Sequence, residues 1–364
     1  MRFVNFTKVD KSLVLRSIFQ TYYICNCTLK KILIIQTAFI GDVVLATAVA
    51  EKLHEFYPEA KIHFLVRQGN ESLFDGHPFL NKVYVWNKKQ NKYSNFLRLL
   101  KSIRQEKYDW VINLHRFGSS GFLTAFSGAK IKSGFSKNPF SFAFTHKFEH
   151  TIGQFGAMYF DHETVRNHRL IQQFTDAFPA KPKLYPSAED YQRVSEYTTH
   201  QFITIAPASV WFTKQYPKYK WIDFLNNVPV DFNIYLLGGK GDFNLCEEIK
   251  QNVQYRHVEN LAGKLDFLES AALIADAAMN YVNDSAPMHF ASAMNAPVTA
   301  VYCSTIPEFG FGPLSDVSHV VEIQEELDCR PCGLHGYKAS PKGHFKCARN
   351  IKTEQLLATL PVSA

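Results

Sequence analysis

No run of about 20 apolar residues occurs in the chain, which argues against a membrane-spanning helix. Cysteine is scarce and unpaired in pattern: seven residues, scattered until a stretch near the C-terminus, unlike the framework of a small secreted domain. A reducing compartment is favoured. The first predicted strand is not followed by G-x-G-x-x-G, which argues against a nicotinamide enzyme. No glycine-rich phosphate loop ending in Gly-Lys-Ser/Thr is present either, so a kinase or ATPase reading fails. Lysine and arginine look dispersed, with no basic stripe carrying interleaved aromatics, and nucleic-acid binding is disfavoured. Internal repeats and low-complexity stretches are absent.

What is present fits an ordinary globular protein. The 364 residues are enough for two domains, each large enough to bury its own core. Apolar residues make up 46% and charged residues 20%, so neither a disordered tail nor a fibrous array is indicated. The net charge of +7 is compatible with an acidic ligand without choosing one. Aromatic content is high, with 31 phenylalanines, and fits either a bulky core or a surface that meets lipid or sugar rings. Residues 1–29 carry Lys8, Lys11 and a short apolar run broken by Arg16 and Gln20, with no small-x-small cleavage site. They are expected to be a loosely ordered extension, a peripheral membrane anchor, or the product of a start codon assigned too early.

From Lys31 the pattern is an alternation of strands and helices. Lys31 to Gln36 reads as a buried parallel strand, followed by a small-residue turn. A helix then places Leu45, Val49, Leu53 and Phe56 in one stripe until Pro58. Further strands are predicted at 61–66, 82–86, 109–114 and 131–135, with helices at 93–106 and near Phe122. Three prolines between Phe178 and Ser187 mark a linker. The alternation restarts with strands at 202–206, 233–237, 278–282 and 297–302. Helices fit at 220–228, 242–253, 267–275, 288–294 and 353–360. Two doubly wound parallel sheets facing a cleft follow from this order, with ligands at the C-terminal ends of the strands.

Four strand-end clusters carry the candidate chemistry. Asp42, in the Gly41-Asp42 turn after the first strand, is either a helix-terminus residue or a general base aimed into the cleft. The loop Ala206 to Pro217 offers Ser209, Thr213 and Lys214 to a phosphate, or is an ordinary polar loop. Gly238-Gly239-Lys240-Gly241-Asp242 permits close backbone approach, and Asp242 could accept from a ribose hydroxyl or simply shape a turn. Asn283, Asp284, Ser285, Ala286, Met288 and His289 bring a strand end to a helix N-terminus whose free N–H groups suit a diphosphate; a lone helical His is more often structural. His115 and Arg116 follow another strand of the first half and suit acidic acceptor groups or a solvated surface. Cys329-x-x-Cys332 with His344-x-x-Cys347 is either a zinc pattern or a loop of free thiols.

In order and spacing, Ile40-Gly-Asp-Val-Val-Leu, Tyr108-Asp-Trp-Val-Ile-Asn-Leu, Ala206-Pro-Ala-Ser-Val-Trp-Phe-Thr-Lys, Asn260-Leu-Ala-Gly-Lys, Asn283-Asp-Ser-Ala-Pro-Met-His and Cys329-Arg-Pro-Cys-Gly resemble the lipopolysaccharide heptosyltransferases (glycosyltransferase family nine) over about residues 30–360. The resemblance implies a GT-B fold: an acceptor domain over 30–180, a donor domain over 181–350, and a final helix, 351–364, packing back across. It implies inverting, metal-independent heptose transfer from ADP-heptose to the lipopolysaccharide inner core, with Asp42 as base. Lys214 and Asn283 to Ser285 would hold the donor. No cofactor is implied. The acceptor would be lipid-linked, and the enzyme cytoplasmic and peripheral at the inner face of the inner membrane. Alternatives are another nucleotide-sugar donor, an epimerase on the same fold, or a nucleotide-sugar-binding regulator without turnover. Two positions depart from the family pattern: Ala286 stands where Gly is usual, and Ser340 precedes Pro341 where a Cys is usual, so any metal in that loop would depend on histidine.

Overall fold

The computed structural model describes residues 29–361 apart from 89–91, 157–158, 230–231 and 256; the expected extension, but for Leu29, lies outside them. Short apolar runs become strands of two parallel sheets, each with six strands. The first contains β1 (Lys31–Ile35), β2 (Lys61–Arg67), β3 (Leu80–Trp86), β4 (Trp110–Asn113), β5 (Ile131–Phe135) and β6 (His146–Phe148) in the order β3-β2-β1-β4-β5-β6. The second contains β7 (Phe202–Ala206), β8 (Asn233–Leu236), β9 (Val258–Asn260), β10 (Met279–Asn283), β11 (Val298–Tyr302) and β12 (Ser318–Glu322) in the order β12-β11-β10-β7-β8-β9. Counted within each half, the two orders are the same. In each, the first strand pairs with both the second and the fourth (Ile34 opposite Phe64 and Ile112; Ile205 opposite Leu236 and Tyr281), which opens a crevice beyond their C-terminal ends.

The main helices are α1 (Ile40–Phe56), α2 (Lys92–Glu106), α3 (Gly118–Ala125), α4 (Glu163–His168), α5 (Ala188–Val194), α6 (Lys218–Asn226), α7 (Phe243–Asn252), α8 (Phe267–Asp276), α9 (Ala286–Met294), α10 (Lys346–Arg349) and α11 (Thr353–Leu357). The single apolar stripe expected for α1 is not what forms. Val43 through Ala50 are all buried, and so is Lys52, because α1 is packed between the first sheet, α4 and α9. A helix covered on several sides has no need of a polar face. One buried apolar cluster therefore runs through both halves, from Ile32 and Val44 to Met288 and Phe290.

The linker passes as extended chain beside α1, where the Lys183 amide donates to Thr47 Oγ1 at 2.9 Å and the Tyr185 hydroxyl donates to Glu51. The closing helix corrects another expectation. α11 does not reach back across: Leu356 is buried in the second half's own core, Thr353 donates to Asp223 of α6, and Thr359 lies against Thr299 and Tyr281. At about 1.5 Å per residue, five helical residues are too short to bridge two domains.

Candidate functional site

The loops after β1 and β4 face those after β7 and β10 across the crevice. On the first-half side, a cavity of about 470 Å³ is lined by Thr37, Asp42, Lys88, His115, Arg116 and Glu163, with Phe309, Phe311 and His335 reaching in from the second half. A smaller space of about 270 Å³ adjoins it and brings Asp42 and Gly41 together with Lys214, Asp284, Ser285 and His289. Beyond Ser209 and Ser285 a third space, about 350 Å³, is lined by Ala206, Gly238, Gly239, Asp242, Phe267 and Ala286. Because neighbouring spaces share residues, they form one continuous cleft, and Asp42 lines both the first and the second.

Asp42 sits in the first turn of α1, where the helix dipole favours a carboxylate. Burial outweighs that effect. Desolvation first, and the Glu163 charge second, push its carboxyl up to about 6, while the Phe39 and Asp42 amides and the Lys214 charge pull it down. A carboxyl poised near neutrality suits proton transfer. Gly41 is required by proximity: a Cβ there would stand 2.8 Å from His289 Cδ2 and 3.6 Å from Ala286 Cα. α1 and α9 therefore meet tightly at the cleft floor, with Ala286 where a glycine is usual. His289 is buried, its Nδ1 has no hydrogen-bond partner among the described residues, and burial lowers it to about 3, leaving the ring neutral.

Not all donor-side candidates reach the cleft. Lys214 Nζ lies 2.7 Å from Asp284 Oδ2, which also accepts from Thr305 Oγ1 at 2.6 Å. Ser209, Gly239, Asp242, Ser285, Ala286 and His289 line the open space. Asn283 is buried and acts through its neighbours: its amide donates to the Pro207 carbonyl, and its oxygen accepts from the Tyr216 amide, clamping the loop that carries Lys214. Thr213 is buried in a similar role, accepting from the Tyr337 amide at 2.7 Å and from Ser304 at 3.0 Å. Met288 belongs to the core. Asp242 spends one carboxylate oxygen on the Gly239 amide at 2.8 Å, so it shapes its turn as well as lining the cleft. The helix N-terminus of α9 starts at Ser285, which makes no side-chain cap and leaves its first turn facing the cleft.

On the acceptor side, His115 is lowered to about 4 by burial, then by Lys88 and Arg116, so it is a neutral ring at physiological pH. Three residues that the sequence did not single out also line this space, Lys88, Glu163 and His335, and a fourth, Arg166, braces it from behind. Lys88 donates to the Thr37 carbonyl at 3.0 Å. Glu163 resists the upward pull of burial because His150 and Arg166 hold it below the ordinary range; Arg166 Nε is 2.8 Å away. Arg166 is fully buried and donates to the carbonyls of Asp161 and Phe309, tying α4 to the second half. His335 lies in the cysteine-bearing loop. Within that loop Cys329 Sγ is 3.8 Å from His344 Nε2, and the Cys332 thiol donates to the Cys329 carbonyl. Among the described residues, the one set of three ligating groups drawn close together is Asp190, Asp266 and Glu269, none of which belongs to this loop or lines the cleft.

Paired parallel sheets of one strand order, opposed across a cleft with a poised carboxylate on one wall and a lysine and helix terminus on the other, are the architecture of a GT-B glycosyltransferase. Residues 96–336 match glycosyltransferase family 9 (heptosyltransferase), and the chain belongs to that family. It is 30% identical to lipopolysaccharide heptosyltransferase 3 of Escherichia coli over 281 residues, covering 73% of this chain and 82% of that protein. A lipopolysaccharide core heptosyltransferase of Haemophilus influenzae is 22% identical over 92% of this chain and 94% of its own length. In fold, the chain is similar to a family 9 glycosyltransferase of Veillonella parvula (TM-score 0.78, 21% identity, 91% of this chain and 96% of that one). It is also similar to the ADP-heptose lipopolysaccharide heptosyltransferase II of E. coli (TM-score 0.70, 21% identity, 91% and 98%). The protein is a glycosyltransferase, joining a nucleotide-sugar donor to a saccharide acceptor.

Proposed function

We propose that this enzyme transfers heptose from ADP-heptose to the inner core of a lipopolysaccharide, with inversion and without a metal, at the inner face of the inner membrane. The observation that carries the reading is the position of Asp42, which lines both the large first-half cavity and the space holding Lys214 and Ser285. An acceptor hydroxyl in the first and a sugar diphosphate in the second would meet at that carboxylate. Asp42 takes the hydroxyl proton as the acceptor oxygen bonds to the anomeric carbon. The bond from that carbon to the diphosphate oxygen breaks on the opposite face, and the nucleoside diphosphate leaves with the electron pair. Lys214, released from Asp284, and the first turn of α9 receive the charge that develops on the leaving group. Donor-binding roles fall to Ser209, Gly239, Asp242, Ser285, Ala286 and His289 directly, and to Thr213, Asn283 and Met288 through support. His115 and Arg116 face the acceptor. Among the described residues no helix is long and apolar enough to cross a membrane, which agrees with a peripheral attachment.

Calorimetric titration with ADP, UDP, GDP and a non-hydrolysable ADP-heptose analogue tests the donor. Selective binding of ADP and its sugar, lost in Lys214→Ala, is expected. Preference for UDP or GDP would assign a different sugar nucleotide, and absence of nucleotide binding would remove the donor site.

A further inference from the structure

Basic residues that look dispersed over the whole sequence are concentrated in one segment. Residues 87–148 contain 12 Lys and Arg against only two acids, Glu106 and Asp109, while the remainder holds 28 against 31. The segment is thus at +10 and the rest of the chain at −3, which corrects the impression of an even spread. Both acids already face cations: Glu106 pairs with Lys31 and Lys82, and Asp109 with Lys130.

The same segment exposes apolar side chains. Tyr93, Leu97, Lys101 and Arg104 recur every three or four residues and share the outward face of α2. Tyr93 is 79% and Leu97 61% exposed. On the other side of the helix, Leu99 and Ile103 are buried in the core beneath. Phe96 leads into a chain of rings, with Phe122 at 5.5 Å, Phe126 and Phe140 beyond it, and Phe142 at the tip of the 138–143 loop, 76% exposed. Arg104 donates to the Phe126 backbone carbonyl at 2.9 Å, which ties α2 to the end of α3. The chain of rings reaches the cleft, because Phe140 lies against Gly118 and the adjacent Phe117, 63% exposed, lines the first-half cavity with Arg116.

We propose that the face formed by α2, the end of α3 and the 138–143 loop docks on an anionic lipid bilayer. Leucine and phenylalanine tips without polar ends gain nothing from water and enter the boundary between headgroups and acyl chains, while the surrounding bases are drawn to anionic headgroups. A nucleic-acid surface would share the bases, but Leu97 offers no ring for a base to stack on, and Leu97 and Phe142 stand on separate elements and line none of the cleft spaces described above. Docking in this orientation brings the mouth of the acceptor cavity to the leaflet. That consequence rests on the reading of the acceptor as lipid-linked; the docking itself does not.

The test is co-sedimentation of the full chain with vesicles of phosphatidylcholine alone or with about one third phosphatidylglycerol, at low and high salt. Binding to the anionic vesicles is expected to exceed binding to the neutral ones by about tenfold and to fall with salt. The double variants Leu97→Ser/Phe142→Ser and Lys101→Glu/Lys137→Glu, the last at the exposed residue just before the 138–143 loop, should each weaken it by roughly tenfold, since each removes one of the two contributions. These four side chains lie outside the cleft, so the thermal midpoint and nucleotide binding of the variants should match the parent. Equal binding to both vesicle types, binding to neither, or variants that bind like the parent would overturn the proposal. So would tighter binding of a single-stranded RNA oligonucleotide, lost in the same variants. If vesicle binding behaves as expected while no nucleotide binds, the docking surface stands and the donor reading fails.

Discussion

The two halves share one strand order but line the cleft with different chemistry. At the ends of β1 and β4 the first half presents titratable groups: Asp42, His115, Arg116, and Glu163 brought in by α4. At its strand ends the second half presents mostly small residues, Ala206, Ala208, Ser209, Ser285 and Ala286, with the Lys214–Asp284 ion pair, Asp242 held in its own turn and a neutral His289. Topology decides where a ligand sits in such folds; loop chemistry decides which ligand it is. In the proposed reading, small residues and a helix terminus let a backbone approach phosphates, whereas half-buried titratable groups select and activate a hydroxyl.

That division gives an ordered set of tests. Asp42→Asn should lower turnover by about a hundred- to ten-thousand-fold, the range of a positioned general base, while leaving nucleotide affinity within a few-fold. The same change should stabilise the fold above pH 6. A carboxyl raised to about 6 favours the folded state at low pH and loses that contribution as pH rises through 6, so the asparagine is expected to be better by about 1–3 kcal/mol in urea denaturation at pH 8. Lys214→Ala should weaken ADP binding by about ten- to a hundredfold, matching about 1.5–3 kcal/mol for a charged hydrogen bond. His115→Ala, on the opposite wall, should raise the acceptor KM and leave ADP affinity unchanged. If both variants acted on the same ligand, the halves would not divide the work.

Smaller effects probe the contact between the halves. Gly41→Ala places a methyl against His289 and should cost about 1–3 kcal/mol, recovered in part by His289→Ala in the double variant; thermal denaturation measures both. Glu163→Gln removes a negative charge that helps to raise Asp42. The acid limb of kcat/KM, expected near pH 6, should then move to lower pH by less than about one unit. An unchanged or rising limb would show that the two carboxyls do not sense each other.

Where local sequence dominated, the fold was legible in it. Buried runs such as Leu33 to Ile35 and Phe202 to Ala206, short, β-branched and bounded by turn residues, read as interior strands and form them. The three strands not anticipated, β6, β9 and β12, all lie at sheet edges and contain His-Lys-Phe, Val-Glu-Asn and Ser-His-Val-Val-Glu, in which neighbouring strands supply the pattern and apolar residues do not. α4 was hidden for a related reason: Glu163, Arg166 and His168 are buried through ion pairs and hydrogen bonds, so its sequence reads as surface. At the site, strand-end motifs located Asp42, Lys214 and the 283–289 cluster. They did not separate groups that face the cleft from those that brace it, because Asn283 and Thr213 look like ligand-binding residues until their partners are seen. Lys88, Glu163 and His335 arrive from distant segments, and no local spacing announces them.

The most direct test of the central claim is product analysis with ADP-heptose and a lipopolysaccharide acceptor truncated before the heptose. The enzyme should release ADP, add one heptosyl residue with inverted anomeric configuration, and leave the donor unchanged when the acceptor is omitted. Transformation of the sugar nucleotide without an acceptor, or intact donor and acceptor after prolonged incubation with an enzyme that binds ADP, would contradict it.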